Sequence, residues 1–157
     1  MSITPLDARG PQFNAALTSV VLAVALATAH LGVGVWLLGA QAALFAIGVA
    51  FGVQRAPAAY LFGRFVKPHL GPATRLEDPR PPRFAQGIGL AFAVLGVIGF
   101  VAGPIWLGYL ATGFALAAAL LNATIQVCLG CQIYGVCHLP QQQFHTPPTT
   151  NKKEALA

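Results

Sequence analysis

The apolar positions of this chain fall into four long runs separated by short turns and one polar loop. Asn14 to Leu31 is broken only by Asn14, Thr18, Ser19, Thr28 and His30, and Trp36 to Val53 follows after Gly32-Val33-Gly34-Val35, which reads as a tight turn. Phe84 to Gly103 is the third run, Pro104-Ile105 the next turn, and Trp106 opens a fourth. That last run carries no charge as far as Val127, and only Thr112, Asn122, Thr124 and Gln126 in it are clearly polar. Eighteen residues at about 1.5 Å each make roughly 27 Å, just enough to cross the hydrocarbon of a bilayer with little tilt. The pattern predicts an all-α membrane protein with four transmembrane helices.

Two of the polar stretches repeat. Asp7-x-Arg9-x-Pro11-x-Phe13 recurs as Asp78-x-Arg80-x-Pro82-x-Phe84, displaced by 71 residues, and Trp36 is echoed by Trp106. The chain therefore reads as two tandem helical hairpins, a direct repeat about an axis along the membrane normal. Arg9, the apolar run after it and Ala27-Thr28-Ala29 also fit a cleaved secretory signal. The repeat argues against cleavage, because the first hairpin should span if the second does.

Composition supports the membrane reading. Of 157 residues 56% are hydrophobic and 8% charged, against about 25% charged in soluble proteins; the mean hydropathy is +0.68. So little charge cannot cover a surface in water. The net charge of +5 sits beside apolar runs, as membrane-surface charge does, and not along a nucleic-acid-binding stripe. All nine Lys and Arg lie in the N-terminal segment, the middle loop or the tail. The positive-inside rule then makes the protein a multi-pass inner-membrane protein with both termini and the middle loop cytoplasmic. The expected divisions are a cytoplasmic N-terminal segment (1–13), a first hairpin (14–53), a basic Pro-rich loop (54–83), a second hairpin (84–136) and a disordered tail (137–157). In the loop, Ala58 to Lys67 mixes aromatic and apolar residues with Arg64 and Lys67, which suits a short interfacial helix. The prolines after it favour an extended connector.

Lipid gives helices no hydrophobic reason to pair, so close backbone contact has to hold the bundle. Gly48-x-x-x-Gly52, Ala85-x-x-x-Gly89-x-x-x-Ala93 and Gly99-x-x-x-Gly103 provide it. In the fourth run Gly113, Ala117, Leu120, Thr124, Cys128, Cys131 and Gly135 share a stripe, on which the cysteines would act as compact packing residues. Asn122 and Gln126 fall on roughly the opposite face, where polar side chains hydrogen-bond between helices or line a pore.

The chemistry-bearing motif is Cys128-Leu129-Gly130-Cys131. Three cysteines do not make a disulfide scaffold, and a reducing cytoplasm disfavours a permanent disulfide. The pair would instead rest reduced and act transiently as the catalytic dithiol. Its place near a helix C-terminus opposes thiolate formation, unlike the helix N-terminus that activates thiols in thioredoxin-type sites. Cys128, Cys131, Cys137 and His138 could supply four metal ligands, but adjacent Cys137-His138 suits a tetrahedral site poorly, so no metal and no cofactor are assigned. Arg9, Arg80 and Arg83 at the repeated caps form a candidate anion site, set against ordinary capping and headgroup anchoring. His30 reads as an interfacial residue.

Arg64-Phe65-Val66-Lys67-Pro68-His69-Leu70-Gly71-Pro72, Glu77-Asp78-Pro79-Arg80-Pro81-Pro82-Arg83-Phe84-Ala85-Gln86, and Leu121-Asn122-Ala123 before the Cys-x-x-Cys carry a resemblance. Over roughly residues 6–136 the chain resembles an uncharacterised bacterial family of small four-helix membrane proteins, a domain of unknown function. The resemblance implies a role in thiol or sulfur metabolism, with a cytoplasmic thioredoxin-like protein or sulfurtransferase as partner beside the lipid bilayer. Three functional expectations follow. The first is a membrane-anchored dithiol module in thiol redox or sulfur transfer. The second is a small transporter, or transporter subunit, for a sulfur-containing anion, working as a homodimer. The third is a scaffold without chemistry.

Overall fold

The computed structural model describes residues 6–70, 76–125 and 132. Four helices are long and apolar enough to cross a membrane: α1 (Arg9–Ala27), α2 (Val33–Phe51), α5 (Arg80–Val101) and α6 (Ile105–Ile125). Between α2 and α5 lie the short helices α3 (Pro57–Leu61) and α4 (Lys67–Leu70), joined by a π-helical turn over Phe62–Val66. The protein is an all-α membrane protein.

The two helices that follow the repeated motif begin ahead of their apolar runs, for one reason. Asp7 Oδ1 accepts the Arg9 backbone N–H at 3.1 Å, and Asp78 Oδ1 accepts that of Arg80 at 2.8 Å. Each carboxylate satisfies an amide that a helix start would leave unpaired. Proline in the first turn adds no further unmet donor. Helix formation thus starts at Arg9 and Arg80, before the first membrane-buried residue. The strands preceding the caps, β1 (Leu6–Asp7) and β2 (Leu76–Glu77), form an antiparallel ladder in which Leu6 faces Glu77. Those two positions are separated by the displacement of the sequence repeat.

The first turn lies earlier than the glycine pattern implied. Thr28–Gly32 makes it, through a single 3₁₀ turn over Ala29–Leu31 that ends at Gly32 with φ +78°. The left-handed backbone there suits glycine alone without strain. Gly34 is already helical and meets α1 so closely that a Cβ on it would collide with the Ala25 carbonyl oxygen. The second turn, at Ala102–Pro104, is shorter.

Helix neighbours follow a ring: α1 packs on α2 and α6, α5 packs on α2 and α6, and α1 and α5 lie diagonally opposed. Each neighbouring pair runs antiparallel, since the contacts Ala25–Gly34, Val49–Arg83, Gly99–Gly108 and Gln12–Ala123 join early residues of one helix to late ones of the next. The core consists of Leu22, Ala25, Leu38, Phe45, Ala93 and Ala115. Large apolar side chains point outward instead, with Trp36 82% exposed and Val20, Phe51, Val101 and Trp106 also open. A water-soluble domain would bury such residues; a bilayer takes them as its own solvent. At one end of the bundle sit both turns (the turn end). At the other sit the caps, the ladder and the α3–α4 segment (the loop end).

The α3–α4 segment bears out the expected short helix. Phe62 is its anchor, buried beneath the segment with its ring 5.8 Å from that of Phe13. Tyr60, Leu61, Phe65 and Leu70 project outward beside exposed Arg64 and Lys67, the amphipathic composition of a helix lying along the headgroups. The helix continues through Pro68, where an extended connector was expected.

Candidate functional site

The loop half of the bundle is hollow. A chamber of about 250 Å³ is enclosed by all four long helices, with Phe45, Gly89, Phe92, Phe114, Ala115 and Ala118 among its walls. A second space of about 300 Å³ lies between it and the α3–α4 segment, lined by Asp7, Gln54, Phe62 and Lys67 among others. The two share Asn14, Ala85, Gln86 and Asn122 as lining residues. Three carboxamides, from α1, α5 and α6, therefore stand where the outer space meets the inner chamber.

Local sequence explains how they converge. Asn14 is one turn into α1, just past its Asp7 cap, and Gln86 holds nearly the same place in α5 past Asp78. Asn122 lies near Ile125 in α6, which returns antiparallel to the same end. All three are half-buried, and none makes a hydrogen bond to another described residue. Among the described residues, no charged side chain lines the inner chamber. Thr18, on its wall, takes the Gln41 amide at 3.4 Å, and Gln12 Nε2 donates to the Ala123 carbonyl at 3.0 Å, binding α1 to α6 at the loop end.

Of the residues singled out in the sequence, Asn122 lies in this neck. Arg83 is spent on α2: its Nε donates to the Val49 carbonyl at 2.6 Å and its Nη2 to that of Ala50 at 3.0 Å. A cation is thereby set against the negative end of a helix whose final carbonyls lack helical partners. Arg9 donates from Nη1 to the Leu70 carbonyl at 3.1 Å, holding the end of α4. Arg80 is exposed and shares with Arg83 a shallow depression between α2 and α5. His30 is exposed in the first turn. Cys128, Cys131, Gln126, Cys137 and His138 lie outside the described residues.

Sequence reasoning missed Asn14 and Gln86. Each lies early in an apolar run, where a lone carboxamide reads as an interfacial residue. The available signal was the repeat, which sets Asn14 and Gln86 within one position of equivalence.

The chain belongs to the family described as a domain of unknown function, DUF4395, whose model matches residues 6–138. No curated protein and no solved structure matches it.

Proposed function

We propose that this DUF4395 protein is a membrane-anchored dithiol module. Cys128 attacks a disulfide of a soluble thioredoxin-like partner, forming a mixed disulfide, and Cys131 resolves it. The partner leaves as a dithiol, the chain keeps the new disulfide, and two electrons and two protons have changed hands. With a sulfurtransferase as partner, the same thiols would carry sulfane sulfur as a persulfide.

The observation that carries this reading is the exit of α6. The described part of α6 reaches Ile125 at the loop end, beside the carboxamide neck. Cys128 follows Ile125 by three residues, a stretch that spans at most about 11 Å, and the basic α3–α4 segment packs at this same end of the bundle. Neighbouring cations would offset the effect of the helix C-terminus on thiolate formation. The same reading keeps both termini and the middle loop in the cytoplasm of an inner-membrane protein. It treats the two hairpins as a direct repeat, which the Leu6–Glu77 pairing supports.

The test is capture of a mixed disulfide. With Cys131→Ser, Cys128 should trap thioredoxin-like proteins in a reducible adduct, and Cys128→Ser should abolish it. Unchanged partner exchange in the double serine variant would defeat the proposal. A second reading, a subunit of a homodimeric transporter for a sulfur-containing anion, draws on the loop-end cavities. It requires uptake of labelled thiosulfate or sulfite into proteoliposomes, and no uptake with or without a partner removes it.

A further inference from the structure

We infer that the inner chamber is a binding site for the head ring of a lipid-soluble quinone. Among the described residues no Lys, Arg, His, Asp or Glu lines it, so a charged ligand would be desolvated there without a counter-charge. A neutral ligand is favoured. Besides Thr18, which takes the Gln41 amide, the polar groups that face it are the carboxamides of Asn14, Gln86 and Asn122, which offer N–H donors to a carbonyl oxygen.

These carboxamides make no hydrogen bond to other described residues. Polar side chains within a membrane bundle are costly when unsatisfied and mark functional positions. Beyond them the walls are Phe45, Phe92, Phe114 and a series of alanines, which accept a flat ring. At about 250 Å³ the chamber falls just below the range of ordinary ligand sites, which begins at about 300 Å³. It holds a head group, not a whole lipid.

The tail has a way out. Phe114 lines the chamber and is also 62% exposed on the bilayer-facing surface. Its ring meets Phe92 at 6.4 Å across the α5–α6 seam. This aromatic pair stands between chamber and lipid, so a ring held at the neck can lead its isoprenoid chain past Phe114 into the membrane. The inference deepens the dithiol reading and in its redox step rests on it. The thiol–disulfide exchange runs here from a reduced partner dithiol to the chain's disulfide, the partner leaving as a disulfide; Cys128 and Cys131, so returned to thiols, give up two electrons and two protons, the S–S bond re-forms, and the quinone leaves as quinol.

An azidoquinone photoprobe, applied to the full chain in phosphatidylcholine nanodiscs, tests the site. Labelling should saturate, map to peptides containing Phe92 or Phe114, and be displaced by decylubiquinone. Ala118→Phe, which fills the chamber, should cut labelling at least tenfold, and Leu110→Phe on the lipid-facing surface should leave it unchanged. If Ala118→Phe fails to fold, Gln86→Leu with Asn122→Leu should still weaken displacement by about tenfold. Labelling that does not saturate, spreads along the lipid-facing surface, survives both changes, or is matched by a carbonyl-free apolar azide overturns the inference. The experiment is repeated with Cys128→Ser and Cys131→Ser. Labelling kept there, with no quinol formed by the wild-type chain, sinks only the redox step. Labelling lost from the wild-type chain, while the partner adduct persists, sinks only the quinone site.

Discussion

The turn half and the loop half of this bundle are built from the same four helices and packed in opposite ways. In the turn half the backbones touch. A Cβ at Gly99 would collide with the Gly108 backbone nitrogen, one at Gly34 with the Ala25 carbonyl oxygen, and one at Gly96 would lie 2.7 Å from Thr112 Oγ1 and 2.8 Å from a Leu38 methyl. In the loop half the helices separate around Phe45 and leave two cavities with a carboxamide neck. A membrane bundle has no hydrophobic drive to pull its helices together and depends on close contact. This one concentrates that contact where it carries no polar lining, and it leaves room where Asn14, Gln86 and Asn122 meet. Stability and ligand space thus occupy different ends of the same helices.

The sharpest way to break the contrast is to enlarge a touching glycine. Gly99→Leu should destabilise the bundle by about 3 kcal/mol, the upper part of the overpacking range, because its neighbour is backbone and cannot step aside. Unfolding in mixed micelles measures this, and a change under 1 kcal/mol would show that the turn-half seam is not the stable one. Thr112 gives an effect of opposite sign. Its hydroxyl is buried with no hydrogen-bond partner among the described residues. Thr112→Val removes that unmet group and should stabilise by about 1 kcal/mol in the same assay.

Gln41 lies between the halves, 4% exposed, with its amide on Thr18. Gln41→Leu should cost about 0.6 kcal/mol, the usual value of an interhelical hydrogen bond in a membrane, and a cost above 2 kcal/mol would reveal a larger polar network. The smallest effect belongs to the neck. Asn122→Leu should alter stability by under about 0.5 kcal/mol, as a change at a site without structural partners does. A large loss there would recast Asn122 as a structural residue and erase the distinction between the halves.

Much of this was legible in the chain, for identifiable reasons. Uncharged runs of bilayer length dictate helices irrespective of partners, so all four were visible. Their starts at Arg9 and Arg80 were marked by the repeated Asp-x-Arg-x-Pro caps, although the apolar runs themselves begin later. Arg83 shows the limit. Its sequence context fits an anion site, yet the guanidinium holds two carbonyls on α2, thirty-three and thirty-four residues away. The glycine pairs were recognisable as contact residues, but not which partner each one would touch.

What the sequence determined by itself is whatever depends on one helix at a time: length against the bilayer, charge at its ends, proline and aspartate at its start. What only the tertiary structure decided is the convergence of Asn14, Gln86 and Asn122 from three helices at the mouth of a chamber. Periodicity gives the face of a helix on which a side chain lies, but the ring order and antiparallel register of all four helices decide which faces meet. In a bundle whose surfaces are nearly all apolar, that choice rests on where glycine lets two backbones approach.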